Sequence, residues 1–207
     1  MRILVLDNYD SFTYNLVHIL QQISDHPVEV ARNDEISLEE AGQFDRILLS
    51  PGPGIPDEAG IMKKLIGRYA SSKSILGICL GMQGIAEVFG ARLYNLKKVY
   101  HGIESNIRII EKNELLFREV PGEIHGGRYH SWAVETASLT EKLQVTATDD
   151  SGIIMALSHK KYDVKGLQFH PESVMTPCGT KILFNWLYPH STFPAQAYEA
   201  KKICSHQ

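Results

Sequence analysis

Cysteine is scarce in this chain, with three among 207 residues, at Cys79, Cys178 and Cys204. The count is odd, the spacing is wide and no C-x-x-C pair occurs. That argues against a disulfide framework and fits a reducing, cytoplasmic setting. An excess of one charge is missing too. The formal net charge is −3 and no Lys/Arg cluster stands out, so nothing recommends nucleic acid as a partner. Long apolar runs are absent. Ser74 to Ala86 ends after thirteen residues, too few to cross a bilayer, and the four apolar residues before Asp7 are too few for a secretory signal. No repeat or low-complexity linker divides the chain. It is therefore expected to form one domain over residues 1–187, with a polar tail over 188–207 that is a loosely docked extra helix or disordered. What remains, 43% hydrophobic and 22% charged, is the composition of an ordinary soluble globular protein.

What is present alternates. Arg2 to Leu6 is a continuous apolar run, the pattern of a central parallel strand covered on both faces. Ser11 is placed to cap a helix running to Ile23, with Phe12, Leu16, Ile19, Leu20 and Ile23 on one stripe and His18 at the surface. Strands are expected over 27–31, 46–49 and 75–78, with a helix from Glu58 to Tyr69 before the last of these. Beyond Gly90 the chain turns strand-rich: 91–94, 107–110, 132–135, 143–148, 153–157 and 164–170 read as short strands. A helix over 178–187 follows. The fold class implied is α/β, a mostly parallel open sheet flanked by helices, with antiparallel strands added at the edges.

Three stretches carry chemistry. In Ser74 to Gly90, Cys79 stands between Gly77 and Gly81 where a short apolar strand gives way to helical spacing. G-x-C-x-G at such a junction is a cysteine version of the nucleophile elbow. The turn strains its central residue and leaves no room for side chains two positions away, while the helix N-terminus favours thiolate over thiol. A buried cysteine that only fills space is the plainer reading of the same letters. In His170-Pro171-Glu172-Ser173, the proline keeps His170 extended, so His170 and Glu172 face the same way: an imidazole with a carboxylate able to hold its tautomer. Between them in the chain, Ser50-Pro51-Gly52-Pro53-Gly54-Ile55-Pro56 can continue neither strand nor helix, and leaves glycine amides free for a ligand.

Taken jointly, GICLGMQ, QFHPES, SPGPG and DNYDSFTYN resemble the class I, triad-type glutamine amidotransferases over residues 1–187. The resemblance is nearest to the glutaminase subunits of anthranilate synthase and of aminodeoxychorismate synthase. It implies Cys79 as nucleophile, His170 as general base and then acid, and Glu172 as the group orienting His170. It implies an oxyanion hole from the Gly52-Pro53-Gly54 loop and the amide of Leu80. Pro53 has no N–H, so Gly54 is the favoured donor of that loop. Gln83 and the backbone of Ser131 and Trp132 are implied to hold the glutamine substrate. No cofactor is implied for this chain. The implied partner is a large chorismate-using synthase subunit, docked on the edge carrying Cys79, with 9–11 and 100–105 as candidate contacts. Met82 stands where many relatives carry histidine, and Ile103 where a lysine is common in the anthranilate subunits.

Two rivals remain at this stage: a stand-alone γ-glutamyl cysteine hydrolase on the same elbow, and a non-catalytic regulatory module. His125, His130 and His159 lack metal-type spacing, so no metal site is expected. Ser131 beside His130 is no serine triad, because adjacent strand residues face opposite ways.

Overall fold

The apolar run at the amino terminus is the middle of a wide sheet. A computed structural model describes residues 1–194. In it β1 (Ile3–Asp7) lies parallel between β2 (Val28–Arg32) and β3 (Arg46–Leu49); β3 pairs with β4 (Ser74–Ile78), and β4 with β11 (Val164–Leu167), all parallel. The sheet continues antiparallel through β10 (Ile154–His159), β9 (Leu143–Asp149), β6 (Ile103–Ile109) and β7 (Glu123–Arg128), nine strands in all. A separate two-stranded ribbon joins β5 (Leu93–Asn95) to β8 (Trp132–Val134).

Alternation along β1 shows why the run is unbroken. Ile3 and Val5 pack into one core layer with Leu16 and Leu20 of α1 (Thr13–Ile23) and with Ile182 and Trp186 of α5 (Gly179–Leu187). Leu4 and Leu6 pack into the opposite layer with Leu65 and Ile66 of α3 (Met62–Tyr69) and with Ile85 of α4 (Leu80–Val88). The short α2 (Leu38–Ala41) adds Ala41 to that second layer. Each such side chain, fully removed from water, stabilises the fold by roughly 1.5–3 kcal/mol. Since β1, β3, β4 and β11 run the same way, the segments leaving their carboxyl ends share one edge of the sheet.

Several sequence expectations are corrected. Ser11 does not cap α1. No side chain caps the helix: the Thr13 amide donates to the Asp10 carbonyl at 3.2 Å, while the Asp10 and Asp7 carboxylates take the Phe12 amide and the Thr13 hydroxyl at 2.7 and 2.8 Å. The helix expected from Glu58 begins at Met62, because Gly60 at φ 50° breaks the run after a 3-10 turn over Pro56–Glu58. β7, with its two glycines, was not expected as a strand; its register with β6 forms it. The strand expected to reach His170 ends at Leu167, leaving only a single bridge between His170 and Gly127. Of the tail, residues to 194 are docked: Arg118 donates to the Pro189 carbonyl at 2.6 Å, and Phe193 meets Phe184 edge-on. The rest of that expectation, and Cys204, lie outside the described residues. Among the described residues no helix is long and apolar enough to cross a membrane, and no group of three or more His, Cys, Asp or Glu is placed to hold a metal ion.

Candidate active site

Cys79 is the first residue after β4 and directly precedes α4. Its backbone sits at φ 51°, ψ −101°, a conformation a non-glycine residue holds only when its surroundings over-determine it. Two contacts do so. A Cβ on Gly77 would lie 2.4 Å from the Gly81 backbone, and a Cβ on Gly81 would lie 2.6 Å from the Leu49 carbonyl oxygen. The glycines are thus required by the strand and helix they bring together. The Cys79 amide donates to the Leu167 carbonyl at 2.7 Å, tying the elbow to β11. Cys79 is a free, buried thiol.

His170 comes to it from β11. Its amide donates to Gly127 and its carbonyl accepts from the Thr176 hydroxyl at 2.7 Å. Glu172 does reach the imidazole, though not along an extended strand. Residues 170–173 close a turn, with the Ser173 amide donating to the His170 carbonyl, and Pro171 supplies the preset φ that such a turn favours at its second position. His170 Nδ1 and Glu172 Oε1 are 2.6 Å apart in a site closed to water. Burial alone would lower the basicity of His170. The Cys79 sulfur and the Glu172 carboxylate outweigh it and push the imidazole up to about 10. His170 Nε2 makes no well-directed hydrogen bond, and Cys79 lies close enough to act on the ring as charge and as hydrogen-bonding partner. Aromatic rings wall the imidazole. Tyr129 and Phe12 meet it edge-on at 4.8 and 5.8 Å between centroids. Neither was anticipated. The sequence pattern puts Phe12 on the core stripe of α1, and nothing in the letters distinguishes a residue that ends the stripe from one that leaves it.

The Gly52-Pro53-Gly54 loop follows β3. Asn8 anchors its start, donating from Nδ2 to the Ser50 carbonyl and from its amide to the Ser50 hydroxyl, both at 2.8 Å. Pro53, Gly54 and Leu80 line one cavity of about 320 Å3, together with Asn8, Tyr9, Asn33 and Glu58. The residues expected to supply the oxyanion hole are therefore neighbours, although Cys79 and His170 do not line this cavity. Gln83, one turn into α4, is buried and donates to the Trp132 carbonyl at 3.0 Å. The Ser131 carbonyl is taken by the Leu96 amide. The Trp132 carbonyl also accepts from His130 Nδ1 at 2.8 Å. What this segment has left to offer a ligand is N–H groups.

Behind the Ser131–Trp132 segment lies a buried ion pair. Arg128 Nη1 is 2.7 Å from Asp149 Oδ2, with the side chains 1% and 5% exposed. The guanidinium covers the Tyr100 ring at 3.5 Å, and its Nε donates to His130 Nε2. An arginine has no lone pair to accept with, so His130 carries its proton on Nδ1 and donates it to the Trp132 carbonyl at 2.8 Å. Burial, and then the charge of Arg128, lower His130 to about 4.

The family model of glutamine amidotransferase class-I matches residues 4–189. A Lactococcus lactis anthranilate synthase component 2 is 44% identical over 89% of this chain and 93% of its own length. The corresponding Mycobacterium tuberculosis protein is 43% identical over 90% and 82%. A bifunctional TrpGD protein of Thermotoga maritima is 43% identical, and there the match spans 32% of the longer chain. Among solved structures, a Thermoplasma acidophilum protein superposes with a TM-score of 0.81 at 26% identity over 98% of both chains. A Thermotoga maritima glutamine amidotransferase does so at 0.72 and 19%, a likeness of fold. With a family model spanning nearly every described residue and relatives at this identity along most of their length, the chain belongs to the class-I glutamine amidotransferase family.

Proposed function

We propose that this chain is the glutaminase subunit of an anthranilate synthase, releasing ammonia from L-glutamine at a Cys79–His170–Glu172 triad for a chorismate-using partner subunit. The observation that carries the reading is a strained, buried cysteine at the head of α4 beside a histidine whose far nitrogen is bound by a carboxylate. The subunit assignment rests on the names of the component 2 relatives and on the sequence resemblance.

On this reading each group has a task. Cys79 passes its proton to His170, and the thiolate attacks the side-chain amide carbon of glutamine. Negative charge develops on the amide oxygen and is met by the N–H groups of Leu80 and Gly54. His170, held protonated by Glu172, gives its proton to the leaving nitrogen, and ammonia departs. Water, deprotonated by the same imidazole, then cleaves the γ-glutamyl thioester, releasing glutamate and restoring the thiol. Gln83 and the amides of Ser131 and Trp132 hold the amino-acid end.

Ammonia set free in water would be protonated and lost as a nucleophile, so the acceptor site must seal onto this one. The edge around Cys79 suits that. Tyr9, after β1, and Val174, after β11, keep 49% and 89% exposure in segments that leave the edge carrying Cys79. The test is glutamate release by this chain alone and with an anthranilate or an aminodeoxychorismate synthase large subunit plus chorismate. The anthranilate subunit should raise the rate. Full activity alone, unmoved by either partner, would leave the stand-alone hydrolase.

A further inference from the structure

Between Trp132 and the sulfur of Cys79 runs a line of buried side chains whose donors and acceptors are forced. The Trp132 carbonyl can only accept, so the end of Gln83 lying 3.0 Å from it is the NH2. That same nitrogen is 3.2 Å from a terminal atom of Gln168, which must then be the carbonyl oxygen. The other end of the Gln168 amide is therefore its NH2, and it lies 3.5 Å from Cys79 Sγ. Gln168 is wholly removed from solvent, and its own amide donates to the Met155 carbonyl at 2.8 Å, where β10 shifts register. It has no water to turn to, and Gln83 blocks a flip.

Resting on the reading of Cys79 as nucleophile, we infer that Gln168 is a further catalytic residue, a fixed N–H donor to the sulfur that favours its thiolate. A thiol sulfur is a weak acceptor and a thiolate a strong one, so the same N–H stabilises the charged form much more than the neutral one. A donor already in place costs no reorganisation when the proton leaves for His170. Two groups of the segment that follows β11 then act on the sulfur: the imidazole takes the proton, and the amide holds the charge left behind. A glutamine that merely satisfied Gln83 would have no effect on sulfur reactivity, which separates the two roles by experiment.

The measurement is the pH dependence of iodoacetamide alkylation of Cys79 in the full chain, followed by mass spectrometry of the Cys79 peptide. In Gln168→Met, which keeps the length and loses the donor, the profile should move about one pH unit upward, a roughly tenfold loss of alkylation rate on its acid side. Gln168→Glu should move it further, since a carboxylate opposes the thiolate. Gln83→Met unlocks the Gln168 amide and should give a smaller shift of the same sign. A folded Gln168→Met protein with an unmoved profile overturns the inference. If that variant does not fold, an unmoved Gln83→Met profile overturns it instead. The underlying reading fails separately: if wild-type Cys79 alkylates as an ordinary thiol and His170→Ala leaves its profile unchanged, Cys79 is no activated nucleophile and both ideas fall.

Discussion

The parallel and antiparallel halves of the sheet hold their site residues by different physics. In the parallel half, Cys79 is positioned by apolar strands buried on both faces and by glycines that admit no side chain. At the margin of the antiparallel half, the segment that leads from Arg128, the end of β7, to Trp132 in the β5–β8 ribbon is positioned by polar groups. Asp149 holds Arg128, Arg128 holds His130, and His130 and Gln83 share the Trp132 carbonyl. Close packing is indifferent to pH, whereas a buried network is sound only while every member keeps its charge state. The proposed nucleophile therefore stands on a scaffold indifferent to pH, and the segment proposed to hold the substrate on one that responds to it.

The sharpest break belongs to the parallel half. Cys79→Ala should abolish glutamine-dependent product formation by the complex with the large subunit and leave ammonium-dependent formation in place. Product assays with each nitrogen source check this, and equal loss with both would remove the role given to the thiol. Next in size, His170→Ala should lower glutaminase kcat by roughly 10²–10⁴-fold, as for loss of a general acid–base group. Glu172→Ala should cost less, since it only orients the ring. A larger loss for Glu172→Ala would reverse the two roles. Because His170 keeps its proton up to about 10, glutaminase activity should fall as pH rises through that range and the general acid is lost. A pH–rate profile flat to pH 11 would contradict it.

Legibility in the sequence follows the same divide. Period and glycine spacing speak for close packing, so the strands at 46–49 and 75–78 and the Cys79 elbow could be read directly. The proximity of His170 and Glu172 was also foreseen, by way of an extended conformation where the chain in fact turns. Glycine and histidine in EIHGGR gave no strand signal, since pairing with β6 rather than local preference makes β7. The Asp149–Arg128–His130 line escaped notice because its members come from separate strands and loops, and each letter alone suits a solvated surface. Gln168 stood inside a motif used for its histidine, and only the three-dimensional donor–acceptor order gives it a role.

Within the antiparallel half, Arg128→Met takes the charged partner from Asp149 Oδ2, while Oδ1 keeps the Ser151 and Ile153 amides at 2.9 and 2.8 Å. Breaking a buried pair from one side costs about 3–5 kcal/mol, because a buried charge is left uncompensated. Urea unfolding should therefore show Arg128→Met far less stable than Arg128→Met/Asp149→Asn, which removes that charge and keeps an acceptor for both amides. Equal losses would mean that the pair contributes through its shape rather than its charge.

His130 gives the smallest effect and the one that exposes the contrast between the halves most directly. Its folded value, about 4, lies below the 6.5 of an unperturbed histidine, because burial and Arg128 both oppose a second proton. Protonation would also convert Nε2 from the acceptor of the Arg128 Nε–H into a donor facing a donor. The unfolded chain thus binds a proton that the folded chain refuses. Stability from this group is fully present above about pH 6.5 and drains away as pH falls toward 4. At 1.36 kcal/mol for each unit, the loss across the window is on the order of 3 kcal/mol. Urea unfolding at pH 7.5 and pH 4.5 should show a steeper decline for wild type than for His130→Gln, which can still accept and donate without titrating. Parallel declines in the two proteins would show that His130 accepts its proton without breaking the network, and the pH-sensitive element of this half would then lie elsewhere.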